Sequence, residues 1–319
     1  MGKRKLIITH NVHEQQIKAV HRLTPDWELI AGRDPSIWES HLNDAEIIVG
    51  WKKEMAEMFD STPKLRWLQS WSAGVNSMPL DKMKSHGIKL TSANGVHAYP
   101  ISETIFALML GLTRKIHTYV RNQTTKSWNP SGLNLEIHGK TIGIIGVGAI
   151  GKETAKIAKA FGMTVLGIRH SGKQEEFVDK MFSSQQLNEV LPQCDYVVVT
   201  LPLTEDTYHL FGGKQFELMK ESAFFINIGR GPIVDEHALI AALKVNQIAG
   251  AGLDVFEKEP LNEHNPLWEM ENVIITPHTA GATEHYAKRV IEDIFIPNLK
   301  HYLEGKTPKI NLVDYQKGY

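Results

Sequence analysis

Residues 140–151 read Lys-Thr-Ile-Gly-Ile-Ile-Gly-Val-Gly-Ala-Ile-Gly. The apolar Ile142, Ile144 and Ile145 lead into Gly146-x-Gly148-x-x-Gly151, and an alanine-rich stretch of helical period follows with Ala155, Ile157, Ala158 and Phe161. Strand, glycine turn and helix in that order form the context of a dinucleotide-binding fingerprint. Gly146 permits the tight turn, Gly148 lets the backbone approach a pyrophosphate, and Gly151 lets helix and strand pack closely. The helix N-terminus, opened by Ala149 and Ile150, faces the phosphates with unpaired N–H groups and its positive dipole end. A nicotinamide or flavin dinucleotide is the expected ligand.

The surrounding chain repeats the alternation. Downstream, apolar runs predict about six parallel strands, at 142–146, 164–168, 196–201, 223–228, 251–255 and 273–276, with helices at 152–161, 184–191, 214–219 and 235–245. Upstream, strands are expected at 6–9, 27–31, 47–50, 65–71 and 88–91 and a helix at 14–23, punctuated by Pro25, Pro35, Pro63 and Pro79. A long helix starts near Pro100 and carries Ile101, Ile105, Leu108, Met109, Leu112 and Ile116 at helical spacing. The polar stretch 121–139, which includes Trp128, reads as an arm or interface segment. A last helix is expected over 283–304. The fold class is therefore α/β, with two doubly wound parallel-sheet domains.

Bulk properties narrow the function. The 319 residues are 42% hydrophobic and 22% charged with a formal net charge of −1, which is ordinary for a soluble protein and gives no electrostatic footprint for nucleic acid. The single cysteine, Cys194, excludes an internal disulfide and reads as a packing residue. The apolar stretch Leu6–Ile8 is too short for a secretion leader, and no run of apolar residues is long enough for a membrane span. A cytoplasmic location, no membrane association and no bound metal are expected.

Ligands of an open parallel sheet gather at the C-terminal strand ends. Three such ends carry polar groups. Phe224-Phe225-Ile226-Asn227-Ile228-Gly229-Arg230-Gly231 ends in an arginine whose rigid donor fork matches a carboxylate, and the flanking glycines are expected to let a ligand approach the backbone. Gly252-Leu253-Asp254-Val255-Phe256-Glu257-Lys258-Glu259-Pro260 leaves its strand with clustered acids. Thr276-Pro277-His278-Thr279-Ala280-Gly281 ends in a histidine, the natural proton donor near neutral pH, whose charged form a neighbouring carboxylate would favour.

Ordered in this way, the motifs resemble those of the D-isomer-specific 2-hydroxyacid dehydrogenases, of the glyoxylate/hydroxypyruvate reductase kind, and the resemblance covers essentially the whole chain. It implies a flavodoxin-like substrate lobe, residues 1–98 with 286–319, and a Rossmann coenzyme lobe, residues 99–285, with a cleft between them and a homodimer built through the arm at 121–139. It also implies roles. Arg230 would clamp the substrate carboxylate, His278 would donate the proton, and Glu259 would pair with His278. Asp254 would bond the nicotinamide carboxamide. Ser72, Ala73, Gly74, Val75 and Asn94 would contact the substrate, the first four through backbone N–H groups. Pro202, Thr207, Ile228, Gly229 and Gly281 would flank the cofactor. Trp51, Trp71 and His97 would shape the side-chain pocket.

NAD-binding versions of this fold carry an acid about 20 residues beyond the fingerprint, on the ribose 2′-hydroxyl. Here Arg169 stands 18 residues past Gly151, followed by His170, Ser171 and Lys173, and no acid precedes Glu175. A carboxylate repels a 2′-phosphate, whereas an arginine pairs with it. NADP(H) is therefore expected ahead of NAD(H). The substrate is expected to be a short 2-oxo acid, reduced to the D-2-hydroxy acid. Two other readings share the motifs. One is a phosphoglycerate dehydrogenase-like enzyme, for which Lys52 and Lys53 could supply cationic groups, though no added regulatory domain is expected. The other is a non-catalytic NAD(P)(H)-sensing scaffold.

Overall fold

The computed structural model describes residues 3–60, 64–75, 77–130, 132 and 134–316. The chain divides into two compact units, Met1–Val96 with Thr283–Tyr319, and His97–Ala282. These breaks fall two and three residues before the expected bounds of 98/99 and 285/286.

The described residues of the first unit hold five strands, β1 (Lys5–Ile8), β2 (Glu28–Ala31), β3 (Ile47–Val49), β4 (Trp67–Gln69) and β5 (Lys89–Thr91). They pair in parallel in the order β2-β1-β3-β4-β5. Successive residues point to opposite faces, and both faces are covered. Leu6, Ile8, Ile47, Val49 and Trp67 pack with Val20, Ile291, Phe295 and Leu299 on one side. Ile7, Ile48, Leu68 and Leu90 pack with Trp38, Met55 and Met83 on the other. The strands are shorter than their apolar runs. The run 65–71 yields only Trp67–Gln69, because Ser70 already turns the chain, its Oγ accepting from Ser72 N at 3.0 Å. The C-terminal helix runs from Tyr286 to Leu303 through a wide π turn over Arg289–Phe295, which brings Val290, Ile291, Ile294 and Phe295 all to buried positions.

The second unit holds β6 (Thr141–Ile145), β7 (Thr164–Ile168), β8 (Lys180–Phe182), β9 (Tyr196–Val199), β10 (Phe224–Asn227), β11 (Gly250–Leu253) and β12 (Val273–Ile275). All pair in parallel, in the order β12-β11-β10-β9-β6-β7-β8. The strand order reverses at β6, which puts the glycine turn after β6 at the topological switch point. Among the described residues the sheet has seven strands where about six were expected. The added β8 is too short and polar to read from its pattern. Its pairing to β7 is reinforced by Asp179, whose carboxylate accepts from Val165 N at 2.7 Å and Lys159 Nζ at 2.9 Å.

The helix expected from Pro100 to Ile116 is two. Ala98–Thr113 packs Ile105, Leu108, Met109 and Leu112 against Ile142, Ile144, Val198 and Ile226. Lys115 then takes a left-handed conformation (φ 53°), and a second helix runs over Ile116–Thr124, tied to the strand side by Arg121 Nη1 donating to Glu271 O at 3.3 Å. The expected arm therefore begins inside a helix. The helix expected over 184–191 is likewise broken, into short turns around Leu187–Val190. Cys194 is fully buried, and burial pushes its thiol up to about 12, as suits a packing residue. Among the described residues no helix is long and apolar enough to cross a membrane.

One buried side chain helps to pin the tail of the first unit. Asn298 is fully buried. Its Oδ1 accepts from Lys309 N and Ile310 N, and its Nδ2 donates to Ile310 O, each at 2.9 Å. Asn298→Ala would leave these backbone groups without partners in a buried site, and it is expected to lower the unfolding free energy by about 2–4 kcal/mol, as measured by urea titration.

Candidate active site

β10 delivers Arg230 through a turn organised by Asn227. Asn227 is buried, its Oδ1 accepting from Gly229 N at 3.0 Å and its Nδ2 donating to Arg230 O at 3.2 Å. The Arg230 backbone is extended, its side chain is exposed, and Nη1 donates to Gly229 O at 2.6 Å. The flanking glycines have a packing reason of their own. A Cβ on Gly229 would lie 2.7 Å from Leu201 O, and one on Gly231 would overlap the Phe256 carbonyl. Both are glycine because neighbouring backbone fills the space. The contact at Gly231 lays the Arg230 turn directly against the segment that leads to Glu259.

The turn after β12 carries His278 in the left-handed region (φ 53°), a strained conformation for a side chain of this size. The surrounding bonds hold it there. His278 N donates to Asp254 O at 2.9 Å and to Thr276 O at 3.1 Å. Asp254 is 2% exposed, and its carboxylate accepts from Thr276 Oγ1 (2.6 Å) and Thr279 N (3.0 Å) at Oδ1, and from Ala280 N (3.0 Å) at Oδ2. Asp254 thus clamps both sides of His278.

His278 Nδ1 lies 2.7 Å from Glu259 Oε2, and Glu259 Oε1 accepts from Phe256 N at 3.0 Å. Burial raises the Glu259 pKa. The His278 and Phe256 hydrogen bonds and the charges of His278 and Arg230 outweigh that and hold the carboxyl below its usual range. An ionised carboxylate only accepts, so Nδ1 carries the proton of this bond and Nε2 is turned away from Glu259. Arg230, Glu259 and His278 are therefore gathered at the C-terminal ends of three adjacent strands. Beside them His209 Nε2 meets Glu257 Oε1 at 3.2 Å, a pair that the sequence did not single out.

The glycine turn fits a dinucleotide. Gly146 has φ 113°, and a Cβ on Gly151 would press on Gly146 O. A Cβ on Gly148 would meet no described atom within 4 Å, so the backbone there is open to a ligand. Ala149 and Ile150 open the helix Ala149–Ala160, and Ile228 is buried behind Gly229. Thr207 Oγ1 donates to Pro202 O at 2.8 Å and accepts from Thr204 N at 2.7 Å, so its hydroxyl shapes the loop after β9. Gly281 O accepts from His97 Nδ1 at 2.9 Å, which places His97 within the second unit as a brace for the His278 segment. His170 and Ser171 are exposed. Arg169 is not a bare cation: its Nη1 bonds Glu175 Oε1, while Lys152 Nζ bonds Glu175 Oε2 at 2.7 Å.

The residues predicted for substrate contact from the first unit cluster after β4 and β5. Ser72 N is already bonded to Ser70 Oγ at 3.0 Å, so it is not among the amides open to a carboxylate. Val75 is buried in the core, Ala73 and Gly74 are exposed, and Asn94 O accepts from Asn311 Nδ2 at 2.8 Å. Trp51 is half-buried against that core. Trp71 stacks on His10 with ring centroids 4.2 Å apart. Burial, then the charges of Lys52 and Arg33, push the His10 imidazole down to about 4. His10 was missed in the sequence; its place just past an apolar strand was the available signal.

Residues 106–280 match the family model described as D-isomer specific 2-hydroxyacid dehydrogenase, NAD binding domain. The chain belongs to the D-isomer specific 2-hydroxyacid dehydrogenase family. It is 33% identical to the glyoxylate reductase of Korarchaeum cryptofilum over 98% of its own length and 97% of the relative's. It is 38% identical to glyoxylate/hydroxypyruvate reductase B of Salmonella newport over 79% of each chain. The D-isomer specific 2-hydroxyacid dehydrogenase of Xanthobacter autotrophicus Py2, solved with NADPH and MES, superposes with a TM-score of 0.80 at 27% identity over all of both chains. The chain is an oxidoreductase of the class acting on CH–OH donors, and 2-oxo acid reduction with a nicotinamide dinucleotide is the chemistry of such a dehydrogenase.

Asp254→Asn puts an amide donor where the backbone N–H groups around His278 need an acceptor, and it should cut kcat by about tenfold or more and lower stability by about 1–3 kcal/mol. Steady-state kinetics beside thermal unfolding read both effects.

Proposed function

We propose that this dehydrogenase reduces a short 2-oxo acid of the glyoxylate or hydroxypyruvate kind to the D-2-hydroxy acid, with NADPH preferred over NADH. The observation that carries the reading is the Glu259–His278 contact of 2.7 Å beside the Arg230 turn, on the unit that also carries the glycine fingerprint. The names of the Korarchaeum and Salmonella relatives support the substrate class. Arg169 in place of an acid, and the NADPH in the Xanthobacter structure, support the cofactor preference.

The dinucleotide, when bound, supplies the hydride. The protein's own groups do the rest. The Arg230 guanidinium binds the substrate carboxylate through its donor fork and draws charge from the 2-oxo group. His278 holds a proton on Nε2 and gives it to the developing alkoxide oxygen. Glu259, ionised across the neutral range, steadies the imidazolium before transfer and keeps the ring in one tautomer. In the first unit, the amides of Ala73, Gly74 and Val75 and the side chain of Asn94 are the groups that the family resemblance implies for substrate contact. Asp254 retains a lone pair on Oδ2 for the carboxamide contact that the family resemblance implies. Gly146, Gly148, Gly151, Pro202, Thr207 and Arg169 hold the dinucleotide.

His278→Asn should lower kcat by about 10²–10⁴ with little change in dinucleotide affinity, and Arg230→Lys should raise KM for the oxo acid more than it lowers kcat. Both are read by loss of reduced-nicotinamide absorbance across glyoxylate, hydroxypyruvate, pyruvate, phenylpyruvate and phosphohydroxypyruvate. A His278→Asn enzyme as fast as the parent overturns the assignment. A preference for phosphohydroxypyruvate favours the phosphoglycerate dehydrogenase-like reading, and no turnover of any substrate favours the sensing scaffold.

The chain also acts as a homodimer in this reading, joined through the arm at 121–139. The indole of Trp128, 99% exposed, supports that role. Sedimentation of the parent should give twice the chain mass, and Trp128→Glu should shift it toward the monomer.

A further inference from the structure

The loop that follows β7 holds an anion of its own. Arg169 N donates to Phe182 O at 3.1 Å, which fixes where the side chain starts. Gly172 N returns to Arg169 O at 2.9 Å with φ 59° at Gly172, and the Gln174 amide donates to Val178 O at 2.5 Å. This folded loop sets Glu175 facing inward, with its side chain only 15% exposed. One carboxylate oxygen takes Arg169 Nη1 and the other takes Lys152 Nζ at 2.7 Å. The carboxylate thus bridges the end of β7 to the helix that opens on the glycine turn. These are the two elements that border the adenosine ribose in this fold. Lys173 lies nearby in sequence and exposed, as does Glu176.

The two cations cannot serve two anions equally. A 2′-phosphate carries close to two negative charges at neutral pH and three acceptor oxygens, and it would need the same guanidinium and ammonium. A ribose 2′-hydroxyl carries no charge and leaves the Glu175 bridge undisturbed. The Lys152 hydrogen bond, then the charges of Lys152 and Arg169, outweigh burial and hold the Glu175 carboxyl below its usual range, so the competitor is fully ionised at neutral pH.

We propose that Glu175 is a specificity-determining residue for the dinucleotide, an internal anion that occupies Arg169 and Lys152 and must be displaced before a 2′-phosphate can bind. The inference rests on the reading of Arg169 as the phosphate partner. Glu175 thereby sets the margin by which 2′-phosphorylated dinucleotides win. Affinity for NADPH is held down by the work of breaking the bridge, and NADH, which leaves the bridge closed, remains a usable ligand.

The test is equilibrium binding to the full chain, by calorimetry or nucleotide fluorescence, with NADPH, NADH, 2′,5′-ADP and 5′-ADP as probes. Glu175→Gln keeps the side chain's shape and removes its charge. It should tighten NADPH and 2′,5′-ADP by about tenfold, leave NADH and 5′-ADP within about twofold, and steepen the salt dependence of NADPH binding. Glu175→Ala, which also removes the hydrogen bonds, should move the ratio the same way. If Glu175→Gln leaves the NADPH-to-NADH affinity ratio unchanged, or weakens NADH because Glu175 accepts from the ribose hydroxyl, the inference is overturned. Arg169→Asp separates the two levels. Selective loss of 2′,5′-ADP with an unmoved ratio in Glu175→Gln sinks only the Glu175 role, whereas equal loss of both adenine nucleotides sinks the reading of Arg169 itself.

Discussion

The turn that presents His278 to Glu259 depends on a carboxylate buried inside it. Asp254 leaves β11 with almost no exposure and accepts from Thr276, Thr279 and Ala280, while its carbonyl accepts from His278 N. A left-handed histidine is unfavourable by an amount comparable to one hydrogen bond, and four bonds around Asp254 over-determine it. The imidazole therefore does not search for its partner. It is presented to Glu259 by the backbone, and the Glu259–His278 bond fixes the tautomer. Fixed dipoles that need no reorganisation are what such a site requires of its scaffold.

The parallel sheet makes this possible. Its strands all end on one edge, so Arg230, Asp254 and His278 follow β10, β11 and β12 as neighbours although 48 residues separate the first from the last. The strand interiors are apolar on both faces and define the frame. Polar residues appear at the strand ends. Asn227 is the transition, the last residue of a buried strand and the first to organise a turn.

Much of this was legible in the sequence. The family and the two parallel-sheet architecture followed from the glycine fingerprint and the alternating apolar runs, because Gly146 needs a conformation open to few other residues and a strand covered on both sides must be apolar throughout. Other features were hidden for physical reasons. β8 is three residues with an exposed lysine, held by pairing and not by pattern. The helix break at Lys115 has no proline or glycine to announce it. The glycines beside Arg230 suggested ligand approach, and only the packed backbone of Leu201 and Phe256 shows why a side chain is barred. Arg169 looked available because its partner sits six residues on in an irregular loop, where no periodicity reports which way Glu175 faces.

The smaller unit is assembled from two separate stretches of the chain, 1–96 and 283–319. Leu6, Ile8, Ile47, Val49 and Trp67 are made early, but the Ile291, Phe295 and Leu299 side chains that cover them come from the final helix. During translation the contiguous residues 97–282 can complete their fold while that early sheet face is still open to water. Until residues 291–299 have been synthesised, that apolar sheet face lacks its cover.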